Sequence, residues 1–205
     1  MSKIVIFGAG RTGSALLRIL EKSGNNKITI VEEKKEICDE LAAESKELIV
    51  HGDAADPELL DELKLNEADY VFAVTGNEET NFLTSIYAKQ EGTVKVISKV
   101  TEAKHSFLLE RLKIETIIAE YTLAKELANR VTSPVIYKML NPLESDVEMF
   151  EKTVDSKMDG KKVGKINKDN KYEIIALFDE GKFIVAKPEN VLKEGMKIVI
   201  IRKRK

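Results

Sequence analysis

Gly8, Gly10 and Gly13 stand near the start of the chain as G-x-G-x-x-G, and Glu32 follows 19 residues after the last of them. Each of these residue types suits one task in holding a nucleotide. Gly8 permits a sharp turn out of a strand. Gly10 has no Cβ, so a pyrophosphate can approach the backbone. Gly13 lets a helix pack close to a sheet. The free N–H groups and the dipole at a helix start favour phosphate. Glu32 is an acceptor for the hydroxyls of an adenosine ribose. Its charge also opposes a 2′-phosphate, although Lys34 and Lys35 stand beside it.

Further candidate residues fall at strand ends: Asp53 and Ala54, Thr75 and Gly76, and Lys99. In a parallel sheet, ligands bind outside the carboxyl ends of the strands. That position lets Asp53 and Ala54 border an adenine, and brings Thr75 and Gly76 to face the glycine loop. It sets Lys99 to meet a phosphate. Two of them have a second reading: Asp53 as a turn or helix cap, Lys99 as a solvated charge.

Groups for turnover are scarce. His51 and His105 are the only histidines. His51 is next to the expected adenine position, not at a nicotinamide end, and His105 lies on a charged helix. Cys38, the only cysteine, sits with Ile37 and Leu41 on a helix and reads as a small core residue. No H-x-x-H or C-x-x-C pair suggests a metal, and no G-x-S-x-G suggests an acyl-transfer nucleophile. No catalytic residue and no metal ligand is assigned.

The elements that must carry these residues alternate regularly. Residues 3–7, 28–31, 48–50, 70–74, 94–97 and 116–119 are short strand-like runs. Helical patterns follow them, including one started by Asp56 as N-cap and Pro57 at the first helical position. Strand then helix, repeated six times with short connections, predicts a doubly wound parallel sheet in the order 3-2-1-4-5-6. The pattern changes near Pro134. Leu123, Leu127 and Val131 form one stripe on a further helix, and prolines bracket the stretch that follows. That stripe is available to a neighbouring subunit or to the second module. From about residue 146, short apolar runs at 149–150, 163–166, 174–178, 183–185 and 198–201 are punctuated by glycines, with Asp179-Glu180-Gly181 as a hairpin turn. This is a small, mostly β module, expected to dimerise or to lean on the first domain.

Composition sets the outer limits. The chain has 205 residues, 43% of them hydrophobic, enough for one medium and one small domain. Lys+Arg 33 against Asp+Glu 35 gives a net charge of −2, so no global basic field recruits nucleic acid. One cysteine allows no intrachain disulfide, which suits a reducing cytoplasm. No apolar run approaches a membrane span, and the N-terminus reads as a core strand, not a signal peptide. Action at a membrane therefore requires a partner.

The motifs GAGRTG, GDAADPELL after strand three, AVTGNEETN after strand four, then ISKV and IIAE together resemble the RCK domain. This domain, also called KTN or TrkA-N, belongs to potassium transport regulators. The segment beginning VGKINKDNKYEIIALF is similar to the companion C-terminal module, RCK-C or TrkA-C. The resemblance implies an α/β fold: a Rossmann doubly wound parallel six-stranded sheet followed by a small mostly β (α+β) C-terminal domain. It divides the chain into 1–121 (nucleotide-binding), 122–143 (connecting helices) and 144–205 (C-terminal domain). It implies a cytoplasmic regulatory subunit of a Trk- or Ktr-type potassium uptake system, peripheral at the inner face of the membrane. Such a protein binds NAD(H) or ATP/ADP, forms a homo-oligomer (a dimer of the fold, within a tetrameric or octameric ring) and gates a membrane potassium-translocating subunit. Carried over by motif, the nucleotide contacts are Gly8, Ala9, Gly10, Arg11, Thr12 and Gly13, then Glu32, Asp53, Ala54, Thr75, Gly76 and Lys99, with Glu120 near the phosphates. The chain departs from the family at three places. Glu32 stands where Asp is usual, Lys99 where Arg is frequent, which removes a bidentate phosphate contact, and Ala119 where proline commonly precedes the glutamate. Three other readings stay open: an NAD-dependent oxidoreductase, an RCK-type regulator of a different cation channel or antiporter, and a stand-alone NAD-binding scaffold without a membrane partner.

Overall fold

A computed structural model describes residues 1–141, 145–169, 171–179 and 181–204. The chain divides into two units, Met1–Lys125 and Glu126–Lys205.

The first unit alternates strand and helix: β1 (Ser2–Phe7), α1 (Arg11–Lys22), β2 (Asn26–Glu32), α2 (Lys35–Glu44), β3 (Leu48–His51), α3 (Pro57–Glu62), β4 (Tyr70–Ala73), α4 (Glu78–Gln90), β5 (Lys95–Val100), α5 (Ala103–Arg111) and β6 (Glu115–Ile118). The six strands are parallel and lie in the order β3-β2-β1-β4-β5-β6. The chain winds outward from β1 in both directions, so the switch point falls between β1 and β4. Both faces of the sheet are covered. Ile4, Ile6, Ile28 and Ile30 pack with Leu17 of α1 and Leu41 of α2. Val5, Phe7 and Val31 pack on the other face with Leu60 of α3, Ala88 of α4 and Leu109 of α5. This double burial explains why Ile4–Phe7 of β1 and Ile28–Val31 of β2 read as near-continuous apolar runs, with Thr29 the one interruption. Ile6, Phe7 and Ile30 are completely enclosed, each stabilising the fold by about 1.5–3 kcal/mol. Asp56 caps α3 by accepting from Glu58 N at 3.0 Å, with Pro57 next to it, as the sequence predicts.

The helix after β6 starts earlier than the sequence suggests. α6 (Ala119–Thr132) takes up Ala119 and Glu120 in its first turn, where an acidic side chain suits the helix dipole. α7 (Pro134–Leu140) follows with Pro134 at its first position; Pro142 lies outside the described residues. The second unit contains β7 (Val147–Thr153), α8 (Val163–Asp169), β8 (Tyr172–Asp179), β9 (Lys182–Val185) and β10 (Lys197–Lys203), with the antiparallel order β7-β10-β8-β9. Residues 163–166, one of the short apolar runs in a module expected to be mostly β, are the start of a helix. Val163 and Ile166, three apart, point into the same core beside Ile174, Leu177, Ile198 and Ile200, which a helix allows and a strand does not. β8 and β9 form the expected hairpin, with Asp179 opposite Lys182 and Gly181 at φ +81°; Glu180 of the expected turn, Asn170 and Lys205 lie outside the described residues.

Candidate functional site

The glycines differ in what holds them. Gly8 has φ +96°, and a Cβ there would come within 2.6 Å of Thr75 Cα. A Cβ on Gly13 would lie 1.8 Å from Gly8 O. These two glycines therefore let α1, the loop after β1 and the end of β4 close on one another. Around Gly10 the space is open, with nothing within 4 Å of a built Cβ. Gly10 is also the N-cap of α1, and no side chain caps that end. The first-turn N–H groups are thus left for a ligand or water.

Gly8 and Gly10 border a cleft of about 310 Å³ at the carboxyl ends of the strands, at the small end of the usual range for ligand sites. Of the expected site residues, Gly8, Gly10, Glu32, Asp53, Ala54, Thr75 and Gly76 line it. Val31, Glu33, Lys34, Ile37, Gly52, Asn77 and Thr80 complete the lining. Glu32 reaches across to the glycine loop: one carboxylate oxygen accepts from Ala9 N at 2.7 Å and the other from Lys34 N at 3.0 Å. Each oxygen keeps acceptor capacity for a ribose hydroxyl. Asp53 accepts from Ala55 N at 2.8 Å, so it caps its own turn while facing the cleft. Lys34 puts an ammonium group on the same rim as Glu32 and Glu33.

The other expected residues are placed differently. Ala9 is buried and joins the site through its N–H to Glu32. Arg11 and Thr12 are exposed in the first turn of α1, and Gly13 is buried beneath them. Lys99 is half-buried at the end of β5, away from the cleft lining. Glu120 is exposed in the first turn of α6 and is also outside the lining. His51 bonds the backbone oxygen of Glu33 at 2.9 Å. Cys38 is buried, with Sγ 3.4 Å from Glu32 O; burial, then the Glu32 charge, pushes its thiol pKa up. Among the described residues no group of three His, Cys, Asp or Glu is disposed to hold a metal.

α4 contributes most of what the sequence left unassigned. Asn77 caps it, accepting from Glu79 N at 2.8 Å and Thr80 N at 3.1 Å. Glu78 accepts from Thr101 N at 3.0 Å and lies 2.8 Å from His105 Nδ1, so His105, placed by the sequence on a charged helix, is joined to this turn. These contacts, Thr101 first, hold the Glu78 carboxyl down at about 2. Asn81, Thr84 and Ser85 form a buried polar face. Thr84 Oγ1 donates to Ala54 O at 2.9 Å, tying α4 to the turn after β3. The visible signal was a run of polar residues at helical spacing after Thr75-Gly76, on a helix that must pack against a sheet.

Open space over Gly10, an uncapped helix start and a carboxylate across the loop fit the phosphates and ribose of an adenosine nucleotide. Residues 4–120 match the TrkA-N domain family. A Trk system potassium uptake protein TrkA homolog from Methanothermobacter thermautotrophicus is 30% identical over 202 residues, covering 98% of this chain and 93% of that protein. Among solved structures, the chain resembles a GsuK channel bound to NAD, with TM-score 0.51 and 18% identity over 99% of this chain. It also resembles GsuK bound to ADP, with TM-score 0.56 and 22% identity over 64% of this chain. The matches span 36% and 35% of those two channel chains. At these identities the two structures establish likeness of fold.

Proposed function

The chain belongs to the TrkA-N domain family, and from that premise we propose that it is a nucleotide-sensing regulatory subunit of a potassium uptake system. In this reading it is not an enzyme. It binds NAD(H) or ATP/ADP in the cleft over Gly10 and gates a membrane ion-translocating subunit. The observation that carries the proposal is the joint placement of the open glycine loop, the uncapped start of α1 and Glu32 around one cleft. Glu32 would take the ribose, and the first turn of α1 the phosphates. Asp53 and Ala54 would border the adenine, with Thr75 and Gly76 opposite the loop. Arg11, exposed beside the phosphate position, would be the side chain best placed to report occupancy.

Regulation in this reading is differential binding: a nucleotide shifts the protein only as far as its affinities for two states differ. Among the described residues no helix is long and apolar enough to cross a membrane, so the translocating path would belong to a partner. The exposed apolar side chains of α6 and α7, Leu127, Val131, Val135, Ile136 and Leu140, support assembly into a homo-oligomer.

Titration with NAD, NADH, ATP and ADP, with and without divalent cations, tests the proposal. A ligand at 100 times its Kd stabilises by about 2.7 kcal/mol, a rise in Tm of roughly 5–10 °C for a chain of this size. Absence of any shift, with no heat in calorimetry, would remove the nucleotide from the reading.

A further inference from the structure

We infer that Asn81 is a positioning residue of the nucleotide cleft, clamping the ends of β4 and β5 and backing the glycine loop through Thr75. The inference rests on the nucleotide reading above and extends it to a residue that does not line the cleft.

Asn81 is 1% exposed, in the second turn of α4. Its Oδ1 accepts from Thr75 N at 2.8 Å, and its Nδ2 donates to Lys99 O at 3.1 Å. The partners fix the amide's orientation, because an N–H can only donate and a carbonyl can only accept. The Thr75 hydroxyl lies 2.7 Å from the same Oδ1 and 2.9 Å from Asn77 O. One side chain thus joins the loop that leaves β4 to the carboxyl-terminal end of the neighbouring strand β5.

The contact continues toward the ligand. Thr75 Cα would sit 2.6 Å from a Cβ on Gly8, and Gly8 O lies directly beneath Gly13. An unbroken series of close contacts therefore runs from Lys99 O through Asn81, Thr75 and Gly8 to the first turn of α1. The amide and hydroxyl of Thr75 are both engaged inside the protein, so Thr75 serves the cleft by where its backbone is held. Asn81 sets that position. Glu32, across the loop, is held by bonds of its own to Ala9 and Lys34, and Lys34 lies outside the series that Asn81 supports.

This division predicts a selective effect. In Asn81→Asp the carboxylate still accepts from Thr75 but turns an oxygen toward Lys99 O, where a donor is required. Calorimetric titration of folded wild-type and N81D protein with adenosine, ADP and NAD reads the result. The expected outcome is a loss of about tenfold or more in ADP and NAD affinity, with adenosine affinity changed less than about twofold. Lowering the pH until the introduced carboxyl protonates restores an O–H donor and should recover ADP binding. If Asn81→Asp does not fold, Asn81→Ser, which introduces no charge, is titrated in the same way with the same expected split. Equal loss for all three ligands would make Asn81 a general support of the fold and overturn the inference, as would undiminished ADP and NAD binding in the folded variants. Wild-type protein that binds none of the three would instead defeat the nucleotide reading itself.

Discussion

Two glycines of one motif should respond in opposite ways to the same methyl group. At Gly13 the added carbon meets Gly8 O at 1.8 Å, backbone against backbone, with no flexible side chain to yield. Gly13→Ala should therefore cost about 3 kcal/mol or more, lowering Tm by roughly 6–12 °C with or without ligand. At Gly10 the carbon meets nothing within 4 Å, and φ −63° suits any residue. Gly10→Ala should leave the ligand-free Tm within about 2 °C while reducing nucleotide affinity about tenfold or more, because the methyl takes the space a phosphate would occupy. Thermal melts paired with calorimetry separate the two; a stable Gly10→Ala protein with undiminished affinity would move the phosphates away from this loop. Glu32→Ala belongs at the same scale. It removes the proposed ribose acceptor and also frees Ala9 N, so adenosine-nucleotide affinity should fall, and unchanged calorimetric affinity would count against the proposed site. The glycines and Glu32 were legible in the sequence because their roles are local: a turn, a helix start, a strand end. Asn81 was not, because its partners Thr75 and Lys99 become neighbours only when β4, α4 and β5 have closed into the sheet.

α4 is the element that gathers the cleft's loops. Asn77 starts it, Thr84 holds Ala54 O, and Glu78 holds the turn between β5 and α5 through Thr101 N and His105. The Glu78 contact gives the element a pH signature. Its carboxyl is held down at about 2, by the Thr101 N–H first and His105 second, against an ordinary value near 4.3. A carboxylate whose folded pKa is depressed stabilises the protein fully above its unfolded pKa, and that contribution is lost as pH falls toward the folded one. Wild-type protein should therefore lose more stability than Glu78→Gln between about pH 4.5 and about pH 2, as measured by urea melts across that window. Parallel curves would show that Glu78 carries no such linkage. At this scale the six-stranded order was readable, since strands buried on both faces and short connections leave few alternatives. α8 was not, because a segment as short as Val163-Gly164-Lys165-Ile166 satisfies helix and strand alike until the partners of Val163 and Ile166 are known.

At the scale of the whole molecule, α6 and α7 bury no residue completely within the chain. Leu127 is 55% exposed, Val131 82% and Val135 79%. Fully covered, each such side chain is worth about 1.5–3 kcal/mol. Association costs about 4–15 kcal/mol in lost freedom of motion, so two or three residues would not hold a dimer, whereas five or more contributed by each of two chains would. A charge in the middle of such an isologous surface enters twice, once from each copy. Leu127→Glu should therefore shift sedimentation velocity from an assembled species to the monomer at micromolar concentration. Nucleotide affinity in the first unit should stay within about threefold, since none of the residues lining the cleft lies on α6. A wild-type chain that sediments as a monomer at high concentration would remove the homo-oligomer from the proposed function. A Leu127→Glu chain that stays assembled would place the contact elsewhere. The outcome bears on mechanism, because a nucleotide can bias an assembly only if occupied and unoccupied copies pack against their neighbours differently.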